Sequence, residues 1–221
     1  MRHVGMAEGS ELSPEQIAAL QRRTSRPDNE LPGAIPFHAL VARTEDLAIA
    51  LVAVDAYSTG LTMKMSIRLR SPGDDDLDIE LFPHHGRHGE PGLLVGVEYP
   101  DGRTATNVSG HEYPDPRLLN DQPALWPHGG GGGGSEYEME YWLTPMPTPG
   151  DLGIVTAWPA RAIAESRIVV PAAAIATGVA ANVELWPWQP PRERKWTPQP
   201  PPTLPPGGWF AEHADAPKGE A

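Results

Sequence analysis

Between Leu61 and Arg70 the chain alternates without a miss. Leu61, Met63, Met65, Ile67 and Leu69 are apolar, and Thr62, Lys64, Ser66, Arg68 and Arg70 are polar or cationic. Successive side chains of a strand point to opposite faces, so this pattern sorts cleanly only as a strand. One face is expected to be buried and the other wet and cationic. The preceding run, LAIALVAVDAY, is nearly continuous apolar, as for a strand buried on both faces. Ser58-Thr59-Gly60 is a turn cluster, so the two stretches form a hairpin.

Further strands follow. LLVGVEY and TATNV flank Pro-Asp-Gly-Arg, where Asp101-Gly102 is read as supplying the positive-φ residues of a tight turn. LDIELF reads as a short strand. In SEYEMEYWL, Tyr137, Met139, Tyr141 and Leu143 form one face and Glu136, Glu138 and Glu140 the other. GDLGIVTAWP and ESRIVV add two more. Strands in this number, with abundant turn residues, predict a mainly β fold: an antiparallel sandwich or open barrel.

Two helices accompany them. Ser13-Pro14-Glu15 reads as an N-cap, a proline at the first helical position and an acid in the first turn. Arg22 and Arg23 suit the other end of that helix. Pro171 starts a second one, with Ile175, Val179, Val183 and Trp186 spaced for one face and Pro187 as its stop. Gly178 weakens it by about 1 kcal/mol relative to alanine. The expected organisation is an N-terminal arm with a short helix (1–30), a β-rich domain (31–188) and a disordered, proline-rich tail (189–221).

Composition narrows function by exclusion. The net charge of −12 opposes nucleic acid and anionic membrane surfaces as partners. With no cysteine, disulfides, thiolate nucleophiles and Cys-ligated metals are excluded. No signal-like apolar segment opens the chain, and the longest apolar run is too short to span a bilayer, so a cytoplasmic protein is expected. His84, His85 and His88 crowd one loop without a fourth ligand at metal spacing. No GxSxG elbow is present, and Asp55, Glu140, Glu165 and His111 form an acid–base pair only on paper. No cofactor, metal or catalytic residue is assigned.

The chain also carries six consecutive glycines, Gly129–Gly134. A phosphate loop needs Lys and Ser/Thr after its last glycine and then a helix; here Ser135 and an alternating, glutamate-bearing segment follow. The tract is expected to be a flexible connector, with a mobile flap or a close backbone approach as alternatives. Among the tryptophans, Trp142 falls on the glutamate-bearing face, where alternation predicts exposure. The alternative is cover by a second layer, the core helix or the Trp158 strand. Exposed tryptophan suits binding surfaces, so Trp142, Trp158, Glu140 and Arg161 are the candidate contact residues for a ligand or partner. The tail segment PQPPPTLPP offers polyproline-II spacing for a protein partner.

Trp126–Ser135, Tyr141–Val170 and Ala172–Trp188 resemble a family of actinobacterial proteins. Its members combine a poly-glycine tract, a W-x-x-P-x-P-x-P-G segment, a Trp-Pro pair and a helix ending in Leu-Trp. The matching residues are Trp142, Pro145, Pro147, Pro149, Gly150, Trp158, Pro159, Leu185 and Trp186. The resemblance spans about Leu31 to Trp188 and implies a shared fold without an activity. The alternating prolines predict a stiff, unpaired exit across a sheet edge, with Trp142 and Trp158 packing on their rings. These readings favour a non-enzymatic binding or protein-interaction module, acting through the tail or a sheet surface. The alternative is an enzyme or a small-ligand or carbohydrate-binding domain, with its site near the poly-glycine segment and Glu136–Leu143.

Overall fold

The computed structural model describes residues 13–71, 81–82, 91–108 and 121–189. The expected disordered start of the chain, most of the LDIELF strand, His84, His85, His88, His111 and all of the tail beyond residue 189 lie outside these residues.

The described chain is mainly β, and every strand pairing in it is antiparallel. In the larger sheet, β4 (Leu47–Tyr57), β5 (Gly60–Leu69), β9 (Glu136–Thr144) and β8 (Ala124–Gly133) lie side by side in that order. β2 (Gly33–Ala34) and β3 (Ala39–Arg43) both pair with β4 on its other side, one at each end. The smaller sheet runs β11 (Ile163–Val170), β10 (Leu152–Trp158), β6 (Leu94–Glu98) and β7 (Thr104–Thr106). A two-residue ladder joins β1 (Glu30–Leu31) to β12 (Val183–Glu184).

The hairpin forms as expected, Tyr57 facing Gly60 across the turn. On β5, Met63, Met65 and Ile67 are at most 1% exposed and belong to one core with Val95, Val97, Leu152 and Ile154 of the smaller sheet. Two sheets stacked through such inner faces make a sandwich. The structure corrects the reading of β4, which is not buried on both faces. Leu47, Ile49, Leu51, Val54 and Ala56 point inward; Ala48, Ala50 and Asp55 are half-buried and Val52 is exposed. A register shift between Leu51 and Ala53 makes Val52 the extra residue of a bulge. The apolar run conceals an alternation of large and small side chains.

In the β6–β7 hairpin only Gly102, and not Asp101, has positive φ, at 85°. The prolines 145–149 lie in an unpaired segment that carries the chain from β9 to β10 in the other sheet. The second helix, α2 (Ala172–Ala181), is shorter than its apolar spacing suggested. Val179, Val183 and Trp186 are exposed at 46%, 49% and 57%, and the buried face is Ile175 with Gly178. A side chain at Gly178 would overlap Ile35, and one at Gly33 would overlap the Gly178 carbonyl. The glycine that weakens the helix in isolation is where the helix touches β2.

The first helix, α1 (Pro14–Thr24), has the expected cap. Ser13 Oγ accepts from Gln16 N at 3.2 Å, and Gln16 Oε1 accepts from Ser13 N at 2.8 Å, closing a capping box. This helix lies on the outer face of the larger sheet. Leu20, 4% exposed, packs with Ala124 and Trp126, and Trp142 Nε1 donates to the Arg23 carbonyl at 2.9 Å. Tyr57 meets the Trp142 ring edge-on at 5.6 Å. Trp142 is therefore fully buried on the face that alternation marked as wet, and its cover is α1 rather than α2 or the Trp158 strand. Trp142→Ala is expected to cost about 3–5 kcal/mol of stability, the usual range for emptying a buried tryptophan site; urea denaturation monitored by circular dichroism measures it.

Candidate functional site

The glycine tract is not a connector. Gly129–Gly133 continue β8 and pair residue by residue with β9, from Gly129 opposite Glu140 to Gly133 opposite Glu136. Gly134, at φ 67°, makes the turn into β9. Among the described residues no strand pairs with the other side of β8, so the tract is a sheet edge.

The glycines divide into two sets. Gly130 and Gly132 point inward, where a Cβ at Gly130 would stand 2.7 Å from the Glu138 carbonyl oxygen and 2.7 Å from Met139 Sδ. At Gly132 a Cβ would be 2.5 Å from Tyr137 Cα and closer still to the Glu136 carbonyl oxygen. Real Cβ atoms do not come that near, so packing demands glycine at both positions. This is the close-approach alternative. Gly129, Gly131 and Gly133 point outward and have nothing within 4 Å of the Cβ direction. The fold does not require their bareness.

Beside the bare positions stands a row of charge. Arg68 and Glu136 face each other across β5 and β9 and form an ion pair. Lys64 lies opposite Glu140 but leans to Glu138, Nζ to Oε2 2.7 Å, and the Glu138 partner holds the ammonium more firmly protonated than usual. Glu140 is left for Arg26, which follows α1 and reaches it at 2.8 Å. Each glutamate thus meets a cation, from β5 for Glu136 and Glu138 and from the segment after α1 for Glu140, and a glycine on its β8 side. The resulting outer groove, about 470 Å³, is lined by Arg26, Lys64, His128, Glu138, Glu140 and the glycine backbone. On the inner side of the same strand, a groove of about 450 Å³ is apolar, with Leu81, Phe82, Pro127, Tyr137 and Met139 on its walls.

Asp55 and His128, at this end, are also displaced from their ordinary values. Burial, and then the neighbouring Glu140 charge, raise the Asp55 carboxyl, against a hydrogen bond from Thr62 and the attraction of Arg26. Burial lowers the His128 imidazole, helped by Arg26 and opposed by Glu140. Of the four groups in the paper acid–base pair, the structure brings Asp55 and Glu140 within electrostatic reach. It leaves Glu165 on β11 in the other sheet.

The candidate contact residues are dispersed. Trp142 and Trp158 have no exposed surface, so a ligand reaches neither indole without displacing structure. Arg161 lies in the short helical turn after β10, its guanidinium 5.8 Å from the Trp158 ring. Glu140 alone lines the outer groove. Sequence reasoning missed Arg26 and His128. Arg26 sits in an unpatterned linker, whereas His128 is the extra residue where the β8–β9 register shifts between Pro127 and Gly129. Among the described residues no cluster of three or more His, Asp or Glu is arranged to hold a metal, and no helix is long and apolar enough to cross a membrane. Compared with protein-family models, curated proteins and solved structures, the chain finds no match.

Gly131→Ala should raise stability by about 0.4–1 kcal/mol, since it restricts the unfolded chain and meets nothing in the folded one. Gly132→Ala should lower stability, and paired thermal melts decide between them. A carboxyl raised in the folded state makes that state bind more protons than the unfolded one, so stability falls as pH rises from the unfolded pKa through the folded pKa. Asp55→Asn should therefore be the more stable form at pH 7, with its advantage vanishing as pH is brought below about 3.9; denaturation midpoints across that range provide the measurement.

Proposed function

We propose that this protein is a non-enzymatic binding module that captures an extended stretch of a partner polypeptide as an added strand on the edge of β8. The observation that carries this reading is the bareness of Gly129, Gly131 and Gly133 where packing leaves room for side chains. A strand edge offers unpaired N–H and C=O groups, and proteins usually blunt such edges with lysine, proline or a covering element. Strand addition draws affinity from those main-chain groups and specificity from alternate side chains of the guest.

The two grooves define the guest. Its outward residues would lie over glycine beside Glu136, Glu138 and Glu140, which already pair with Arg68, Lys64 and Arg26, so a preference for lysine or arginine there rests on the net charge of −12. Its inward residues would enter the groove formed by Leu81, Phe82, Tyr137 and Met139, which favours apolar side chains. The guest is thus an extended segment alternating basic and apolar residues. The same charge argues against a nucleic-acid partner, and the cysteine-free composition suits the cytoplasm, which we retain as part of the proposal.

The test is titration of an alternating Lys-Val octapeptide into the protein, followed by backbone amide shifts. Shifts should concentrate on Gly129–Gly133 and weaken with salt. A version N-methylated at alternate residues should lose about tenfold to a hundredfold in affinity, each backbone hydrogen bond contributing about 0.5–1.5 kcal/mol. Equal binding of the N-methylated peptide, or shifts confined to another surface, would defeat the proposal.

A further inference from the structure

The turn after the glycine tract fixes which of its main-chain groups are free. Gly134 and Ser135 form a two-residue turn between the paired residues Gly133 and Glu136, and such a turn closes on a hydrogen-bonded pair. Hydrogen-bonded and open pairs alternate along an antiparallel ladder. Gly131 with Glu138 and Gly129 with Glu140 are therefore hydrogen-bonded pairs, and Gly132 with Tyr137 and Gly130 with Met139 are open ones. Packing gives the same parity independently. Side chains stand closer in open pairs, and a Cβ would collide with β9 at Gly130 and Gly132 but meets nothing at Gly129, Gly131 or Gly133. The N–H and C=O groups of Gly130 and Gly132 thus point away from β9, to the side of β8 where no described strand pairs.

These groups set the register of an added strand. A guest antiparallel to β8, like every other pair in this sheet, would bond to both groups of Gly130 and both groups of Gly132. Residues directly opposite each other share a face, so the two guest residues making those bonds turn their side chains inward. The guest residue between them, opposite Gly131, turns its side chain to the outer groove.

The inner groove serves one of the two inward positions. Its walls include Gly129, Gly130 and Gly131 but neither Gly132 nor Gly133, so Gly130 is its inward-facing glycine. Met139 Sδ lies 2.7 Å from where a Gly130 Cβ would stand, and the thioether fills the space over that glycine. Phe82, 40% exposed, and Tyr137 form further walls, and among the described residues no carboxylate, lysine or arginine lines the groove. Thioether sulfur and aromatic rings both gain from an aromatic neighbour beyond the burial of area. Room is ample: a cavity of about 150 Å³ holds a benzene ring, and this groove measures about 450 Å³. We infer, on the basis of the strand addition proposed above, that the guest is selected by one aromatic side chain, carried by the residue opposite Gly130 and seated against Phe82, Tyr137 and Met139.

The test titrates the full chain with three octapeptides: the alternating Lys-Val peptide, and the same peptide with one central valine replaced by phenylalanine or by leucine. The phenylalanine peptide should bind about tenfold more tightly than the valine parent, with leucine gaining less. On its binding, amide hydrogen exchange should slow at Gly130 and Gly132 and stay unchanged at Gly129, Gly131 and Gly133, whose amides are already bonded to β9. Phe82→Ala should shrink the phenylalanine-to-valine affinity ratio; the peptide series on the unaltered chain covers any folding defect in that variant. Amide shifts on Gly129–Gly133 with phenylalanine no better than valine or leucine, or with protection falling on Gly129, Gly131 and Gly133, would overturn the aromatic anchor and leave strand addition standing. No shifts there with any of the three peptides would overturn both.

Discussion

β5 is the constraint on which the rest of the structure depends. It pairs with β4 on one side and β9 on the other, from Leu61 to Arg68 on both. A strand paired twice cannot change register to hide its polar residues, because a slip by one residue would exchange its two faces. With Met63, Met65 and Ile67 committed to the core, Thr62, Lys64, Ser66 and Arg68 must be accommodated on the outer face. The glutamates of β9 do this for the cations. At the end of the sheet where Thr62 faces Trp142, the outer face turns apolar, and α1 covers it.

That division explains what could be read from the sequence. β5 and β9 are legible because their side chains record the two faces directly, and the α1 cap is legible because all of its parts lie within four residues. The β4 alternation was hidden because alanine and valine on the outer side look apolar regardless of exposure. The element that covers Trp142 was misassigned for a different reason: its hydrogen-bond partner is 119 residues upstream, and no local pattern reports a cover from that distance. The face of α2 was misjudged because glycine, the residue that makes its contact, scores as a helix breaker. The outer groove is assembled the same way, from Arg26 just after α1 against strands far along the chain.

The glycine tract is the extreme case, since a run without side chains carries no periodicity. Its strand conformation is imposed by β9, whose backbone lies close enough to exclude a Cβ at alternate positions. Intrinsic preference opposes this arrangement, glycine being a poor strand former, so the edge is held by its neighbour and not by its own composition.

An edge of this kind has an unusual balance of properties. Hydrophobic edges pair with copies of themselves and aggregate. A glycine edge offers the same main-chain groups with no apolar side chains to cement self-pairing, and glycine-rich strands specify register weakly. Whatever joins β8 must therefore bring its own side chains to fix its position. In the proposed strand addition, the described features for them to read are those of β9 seen across the glycines, carboxylates on one face and Tyr137 and Met139 on the other, with Arg26 and Lys64 beside the first and Leu81 and Phe82 beside the second. Under that proposal, selectivity at this edge rests largely on the second strand from the rim. Substituting the β9 glutamates should change which partner binds, whereas filling the outward glycines should change whether any does.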